Sequence, residues 1–270
     1  MYTLTPKRLF SVPIDGSPIS SHQFEEKTVP EIKALLLWEG NRKTRLDQLF
    51  RIEADTLPDD TIRLQGDLTK VKSIGARLAQ GHLLIDGDVG MRLGEHMTGG
   101  TITVTGNADS WVGLNMKGGT IEIQGHAQDY VGAAYRGSDE GMEGGHIIVY
   151  GNAGKEVGCY MQEGLIIIHG NIDTFAGIHM KDGTIHVKGN SLGRMGGEML
   201  GGKIVIEGHV PSVLPSFNIT GIRPRVRVGE ARIPGPFYLF TGDLADRGTG
   251  RLYLAQQANP HLHVFEKYLV

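Results

Sequence analysis

The residues best equipped for chemistry stand in GAAYRGSDEGMEGG, residues 132 to 145, where Tyr135, Arg136, Ser138, Asp139 and Glu140 sit among glycines. An aromatic ring, a guanidinium and two carboxylates on one loop suit stacking and ion pairing with another protein. A tolerated surface loop without a partner is the plainer alternative. A second set, Arg223, Arg225 and Arg227 in IRPRVR, is spaced two apart. On a strand that spacing puts three guanidinium groups on one face, able to grip carboxylates or phosphates, or simply solvated. Arg42, Lys43 and Arg45 form another basic stretch.

Groups that would make or break bonds are missing as motifs. There is no GxxxxGK[ST] loop, and no HExxH or Cys/His cluster with ligand spacing. His169 and His186 are expected to face outward on neighbouring repeats, and His261 and His263 are close in sequence, but none has the spacing of a metal site. Asp109, Asp129 and Asp173 fall near one repeat position and read as a solvated face. The lone Cys159 reads as a small core or turn residue. We therefore expect no catalytic residue, no metal and no cofactor on this chain.

Composition narrows the class. Of 270 residues, 40% are hydrophobic, enough for a real core. The net charge of −3 supplies no global field for nucleic acid or an anionic membrane. No apolar run approaches the roughly 18 residues of a membrane span, and MYTLTPKRLF lacks the apolar region of a signal peptide. With one cysteine and no intramolecular disulfide, the cytoplasm is the expected location. The 40 glycines, about twice the usual share, must come from turns.

Those turns are periodic. A glycine recurs at Gly87, Gly106, Gly125, Gly151, Gly170, Gly189 and Gly208, at intervals of 19, 19, 26, 19, 19 and 19, and Gly66 precedes them. Two and four residues before each glycine, from Ile62 and Leu64 to Ile204 and Ile206, every residue is Ile, Leu or Val. Period-two alternation of this kind is strand. Six positions after the glycine, Leu93, Val112, Val131, Val157, Ala176 and Met195 suggest a second short inward segment, and each precedes another glycine. Met97, Met116, Met142, Met161, Met180 and Met199 form a further column, expected to be core.

One repeat, two or three short strands between glycine corners, cannot bury its own apolar face, but stacked copies can. The expected fold is all-β: a right-handed parallel β-helix of about eight turns of a 19-residue glycine-rich repeat, capped at both ends. Residues 1–60 are expected to form an N-terminal cap with one short helix from Thr28 to Gly40, and LFRIEAD a strand leading into the coil. Residues 61–209 form the coil and 210–270 a strand-rich extension. The long interval is then local: nine residues, instead of two, separate Gly132 from Met142, a seven-residue bulge at one corner.

Turns such as GHAQDYVG resemble the glycine repeat of the C-terminal domain of the glutamate synthase large subunit. VKSIGARL, DGDVGMRLGEHMTGG and above all VGAAYRGSDEGMEGG resemble the C subunit of formylmethanofuran dehydrogenase, over nearly the whole chain. That resemblance implies a right-handed parallel β-helix and a noncatalytic scaffold role. It also implies partners: amidohydrolase-like, molybdopterin-enzyme-like and formyltransferase subunits, which would carry the metal and pterin-type cofactors. The bacterial formyltransferase/hydrolase complex, which moves a formyl group from a tetrahydropterin to a methanofuran-like carrier and releases formate, fits the modest charge content better than an archaeal dehydrogenase. A binding module for a polyanionic carrier tail is the alternative. A stand-alone glutamate synthase activity would need domains this chain lacks.

Overall fold

A computed structural model describes residues 2–25, 27–54 and 60–269. The N-terminal segment contains β1 (Tyr2–Pro6), β2 (Ile14–Asp15), α1 (Ser21–Phe24), α2 (Val29–Ala34), β3 (Leu36–Glu39), β4 (Arg42–Arg45), α3 (Leu46–Leu49) and β5 (Phe50–Ala54). The repeat supplies β6 (Thr61–Gln65), β7 (Val71–Lys72), β8 (His82–Asp86), β9 (Thr101–Val104), β10 (Thr120–Ile123), β11 (His146–Val149), β12 (Leu165–Ile168), β13 (Thr184–Val187) and β14 (Lys203–Ile206). Three longer strands follow, β15 (Asn218–Val228), β16 (Ala231–Gly242) and β17 (Gly250–Ala255).

The protein is all-β, dominated by one large sheet in the order β15-β16-β17-β14-β13-β12-β11-β10-β9-β8-β6-β1-β5. Within this sheet every neighbour from β6 to β14 is parallel and in register, so Ile102 pairs with Ile121, Ile121 with Ile147 and Ile147 with Ile166. All sixteen Ile, Leu and Val positions of the repeat point to the core and are at most 2% exposed. The six repeat methionines are completely buried.

The two glycine columns have different jobs. At the second, Gly177 has φ +67°, and its N–H donates to Val157 O of the preceding turn (2.8 Å). At the first, the backbone of Gly170 needs no left-handed angle; a Cβ there would lie 2.6 Å from Gly151 O.

The second inward segment is buried as expected, but it is a turn and not a strand. It is entered through non-glycine residues with left-handed backbones: Arg92, Trp111, Tyr130, Glu156, Phe175 and Arg194, with φ between 55° and 68°. A second such column, His96, Asn115, Tyr160, His179 and Glu198, lies four residues on. Parallel bridging is confined to single residues two positions after the corner glycine, Leu68–Val89–Ala108–Ala127 and Ala153–Ile172–Ser191.

The N-terminal segment departs from expectation. Thr28 caps α2 in a capping box with Glu31, but the helix ends at Ala34 rather than Gly40. Leu36–Glu39 alternates exposed and buried and pairs antiparallel with β4 across a two-residue turn, where Gly40 takes φ +57°. Two further one-turn helices flank α2. LFRIEAD does not lead into the stack: β5 lies antiparallel on β1, which itself pairs parallel with β6.

At the other end, β14 pairs parallel with β17, and β16 and β15 continue the sheet antiparallel. The hairpin of β15 and β16 folds over the outer face. Val205, which points outward, is completely buried and packs in a small second core with Val226, Val228, Phe237, Leu239 and Tyr253. No described helix is long and apolar enough to cross a membrane.

Candidate functional site

The seven extra residues leave the stack undisturbed. The Met142 N–H donates to Gly132 O at 3.1 Å, the bond that closes a regular turn between Met116 and Gly113. The excursion is tied to the following turn at both ends: Ala134 N–H to Cys159 O and Gly141 N–H to Tyr160 O, each 3.0 Å. Ser138 turns the tip, its N–H donating to Tyr135 O (2.9 Å) and its hydroxyl accepting from Glu140 N–H (3.2 Å).

Its side chains reach across several turns. Trp111 and Tyr130 stack with centroids 4.6 Å apart, and the Tyr135 ring packs on Trp111 at 5.5 Å. The Arg92 guanidinium covers Tyr135 at 4.5 Å, and Arg136 lies over Trp111 at 5.8 Å. Asp139 pairs with Lys181 at 3.7 Å, and Asn115 Nδ2 donates to Glu140 O. The five predicted contact residues are thus brought together on one face. Four of them, all but Glu140, enclose a cavity of about 360 Å³ with Trp111, Tyr130, Glu156, Cys159 and Tyr160. Tyr135 is 41% exposed, whereas Trp111 is only 8% exposed and its indole N–H finds no acceptor among the described residues.

The cavity floor is unsuited to nucleophilic chemistry. Burial, with the Glu156 carboxylate beside it, pushes the Cys159 thiol up to about 12. Burial likewise raises Tyr160, helped by Cys159, Glu198 and Asp139. A thiol held protonated in this way is a poor nucleophile.

The other predicted residues lie apart from this face. Arg223, Arg225 and Arg227 are all exposed on β15, the edge strand, but a register shift at Pro224 separates Arg223 from the other two. Arg227 Nε donates to Gly229 O (2.8 Å). His186 faces outward as expected yet is 2% exposed, 2.7 Å from Glu207. His169 packs on Tyr150 and meets Lys188 rather than His186. His261 packs on His209, while His263 bonds to Pro260 O. Among the described residues no group of three or more His, Cys, Asp or Glu side chains is placed to hold a metal ion. Asp109, Asp129 and Asp173 each accept a backbone N–H, from Ser110, Lys155 and Thr174.

One arrangement is not announced by the sequence. The residue after the corner glycine accepts, through its side chain, from the same residue of the next turn. Asn107 N–H donates to Asp88 Oδ1, His126 N–H to Asn107 Oδ1, Asn152 N–H to His126 Nδ1 and Asn171 N–H to Asn152 Oδ1. Asn190 N–H to Asn171 Oδ1 and His209 N–H to Asn190 Oδ1 complete the ladder, all at 2.7–2.8 Å.

No protein-family model matches the chain. It is similar to the C subunit of molybdenum-containing formylmethanofuran dehydrogenase 1 from Methanothermobacter marburgensis, 42% identical over 93 residues. The C subunit of tungsten-containing formylmethanofuran dehydrogenase 2 from that organism is 43% identical over 94 residues. Each match takes in 34% of this chain, but only 23% of the first relative and 35% of the second. Across nearly its full length the chain superposes on a chain of the formyltransferase/hydrolase complex (FhcABCD) from Methylorubrum extorquens, crystallised with methylofuran. The TM-score is 0.84 at 30% identity, over 94% of this chain and 99% of that one. This chain belongs to the family formed by the C subunits of formylmethanofuran dehydrogenases.

Proposed function

We propose that this chain is a noncatalytic scaffold subunit of a formyltransferase/hydrolase complex in tetrahydropterin- and methanofuran-dependent one-carbon metabolism, acting in the cytoplasm. The observation that carries the reading is its near end-to-end likeness to one chain of the FhcABCD complex. In this reading residues 61–209 form a right-handed parallel β-helix of about eight turns, held between a cap at 1–60 and an extension at 210–270. Catalysis, with its metal and pterin-type cofactors, belongs to amidohydrolase-like, molybdopterin-enzyme-like and formyltransferase partners. Tyr135, Arg136, Ser138, Asp139 and Glu140 contact one of them. Support for that contact comes from the loop's own anchoring: its backbone is fixed to the stack, while Tyr135, Arg136, Asp139 and Glu140 stay exposed.

A second reading, the C subunit of an archaeal formylmethanofuran dehydrogenase, is favoured by the 42–43% identity of the Methanothermobacter matches, confined to a third of the chain. A third use, Arg223, Arg225 and Arg227 holding a carrier's polyanionic tail, draws support from their exposure.

Two measurements test the proposal. The purified chain alone should transfer no formyl group and release no formate; turnover by it would end the scaffold reading. Deleting residues 134–140 leaves two residues between Gly132 and Met142, as in a regular turn. This variant should fold and copurify with fewer partners. The backbone-preserving variant R136A/D139A should weaken assembly in the same direction, and full assembly by both would remove the interface assignment.

A further inference from the structure

We propose that the cleft between the N-terminal segment and the first turns of the stack binds an oxoanion, a carboxylate or phosphate group. Lys72, Arg77 and Arg92 line one cavity of about 770 Å³ together with His96 and the hydroxyls of Ser17 and Ser20. In a chain of net charge −3, three unpaired cations around one cavity are a local reversal of sign.

None of the three takes part in an ion pair among the described residues. The cleft does hold two carboxylates, and both are engaged: Asp15 Oδ1 accepts from Ser17 N–H (3.1 Å) and Glu95 Oε2 from the Ser73 hydroxyl (3.0 Å). Lys72, Arg77 and Arg92 against Asp15 and Glu95 leave the cavity wall with an excess of positive charge.

The guanidinium groups are also placed. Arg77 and Arg92 belong to the two left-handed columns, with φ 57° and 61°, and their N–H groups are fixed to Glu95 O (2.7 Å) and Ser110 O (3.0 Å). Arg92 is further held against the Tyr135 ring at 4.5 Å, so part of its ordering cost is met before a ligand arrives. Farther along, the same columns carry Trp111, Tyr130, Tyr160 and His179, which stack in pairs, Trp111 on Tyr130 and Tyr160 on His179. At this end they carry Arg77 and Arg92, neither of which forms an ion pair among the described residues. A planar fork of N–H donors matches a carboxylate or phosphate, and serine hydroxyls supply further donors.

The full chain, titrated calorimetrically at low salt with inorganic phosphate and separately with an acetylated tetra-aspartate peptide, tests this. Saturable binding is expected in at least one arm, reduced about tenfold or more in R77A/R92A. K155A/K188A, which removes the same charge from exposed positions elsewhere, should bind as the parent does. Arg77 is exposed and its side chain has no partner among the described residues, so R77A alone keeps the fold and should weaken binding severalfold. Binding of phosphate supports a small-molecule ligand; binding of the peptide alone supports an acidic polypeptide segment. Failure of both probes to saturate, undiminished binding in R77A/R92A, or an equal loss in K155A/K188A would overturn the proposal.

Discussion

Adding one methyl group at three different glycines separates the two demands this repeat places on glycine. At Gly177 an alanine meets both. Its φ of +67° costs an L-residue about 1–2 kcal/mol. The new Cβ would lie 2.6 Å from Ile204 Cδ1 and 3.4 Å from Met180 Sδ, both completely buried and close-packed. Overpacking of that kind costs about 1–3 kcal/mol, so G177A should lose about 2–5 kcal/mol in total. Gly137, at the tip of the insertion, has φ +84° and nothing within 4 Å of a Cβ. G137A therefore keeps only the backbone cost, about 1–2 kcal/mol. Gly170 is the converse: no left-handed angle, but a Cβ 2.6 Å from Gly151 O and 2.7 Å from Gly151 C, backbone atoms that cannot rotate away. G170A should thus cost about 1–3 kcal/mol through separation of two turns and displacement of the Asn152 side chain, whose Oδ1 also crowds that Cβ. Urea unfolding followed by circular dichroism, with unchanged m-values, gives the comparison. A G137A as damaging as G177A, or a G170A without cost, would refute this division of labour.

The side-chain ladder and the buried histidine give two more tests. N171A removes the acceptor of Asn190 N–H (2.8 Å) and should cost about 1 kcal/mol, as should H126A, whereas H126N restores an amide acceptor and should be no less stable than the parent. Equal urea midpoints for H126A and H126N would show that the ladder contributes nothing. Burial, only partly offset by Glu207, lowers the pKa of His186 below its ordinary 6.5. The unfolded chain then takes up the proton more readily. Stability is fully present above 6.5 and declines as pH falls from there towards the lowered native value. H186Q, which keeps a polar partner for Glu207 without titrating, should flatten the fall in urea midpoint on that acid side; an unchanged slope would place the pH dependence elsewhere.

How much of this is legible in the sequence depends on whether the deciding contact lies within the repeat. The apolar pairs and the methionines carry their burial in their spacing, because each copy meets the same neighbours one turn away. The segment entered at Trp111, Tyr130 and Phe175 reads as a strand because such residues are poor candidates for left-handed backbone, and nothing in their type announces it. The ladder is visible as a column of Asp, Asn and His after glycine. Its meaning needs the next turn's N–H to be placed within reach. In the cap, Gly40 reads as a helix stop, but the alternation of Leu36–Glu39 and a neighbouring strand claim it for a hairpin. The burial of Val205 on the outward face comes from the β15–β16 hairpin, outside any repeat. At the insertion, the residue types point to contacts. That Tyr135 and Arg136 first contact Trp111 of an earlier turn emerges only in three dimensions.

The reversal of strand direction at both margins of the sheet limits how far this protein can grow by self-association. A parallel stack is, in principle, a template on which a second copy could continue, end to end, into a fibre. Here the last strand at one margin, β5, runs against the stack and carries the charges of Arg51 and Glu53. The last strand at the other, β15, also runs against its neighbour, is kinked by two register shifts, and carries Pro224 among three exposed arginines. A copy arriving in the sense of the repeat meets the wrong polarity, a missing N–H and a row of positive charge. The arginines that invite a ligand in the sequence therefore also guard an exposed strand edge against continuation of the sheet.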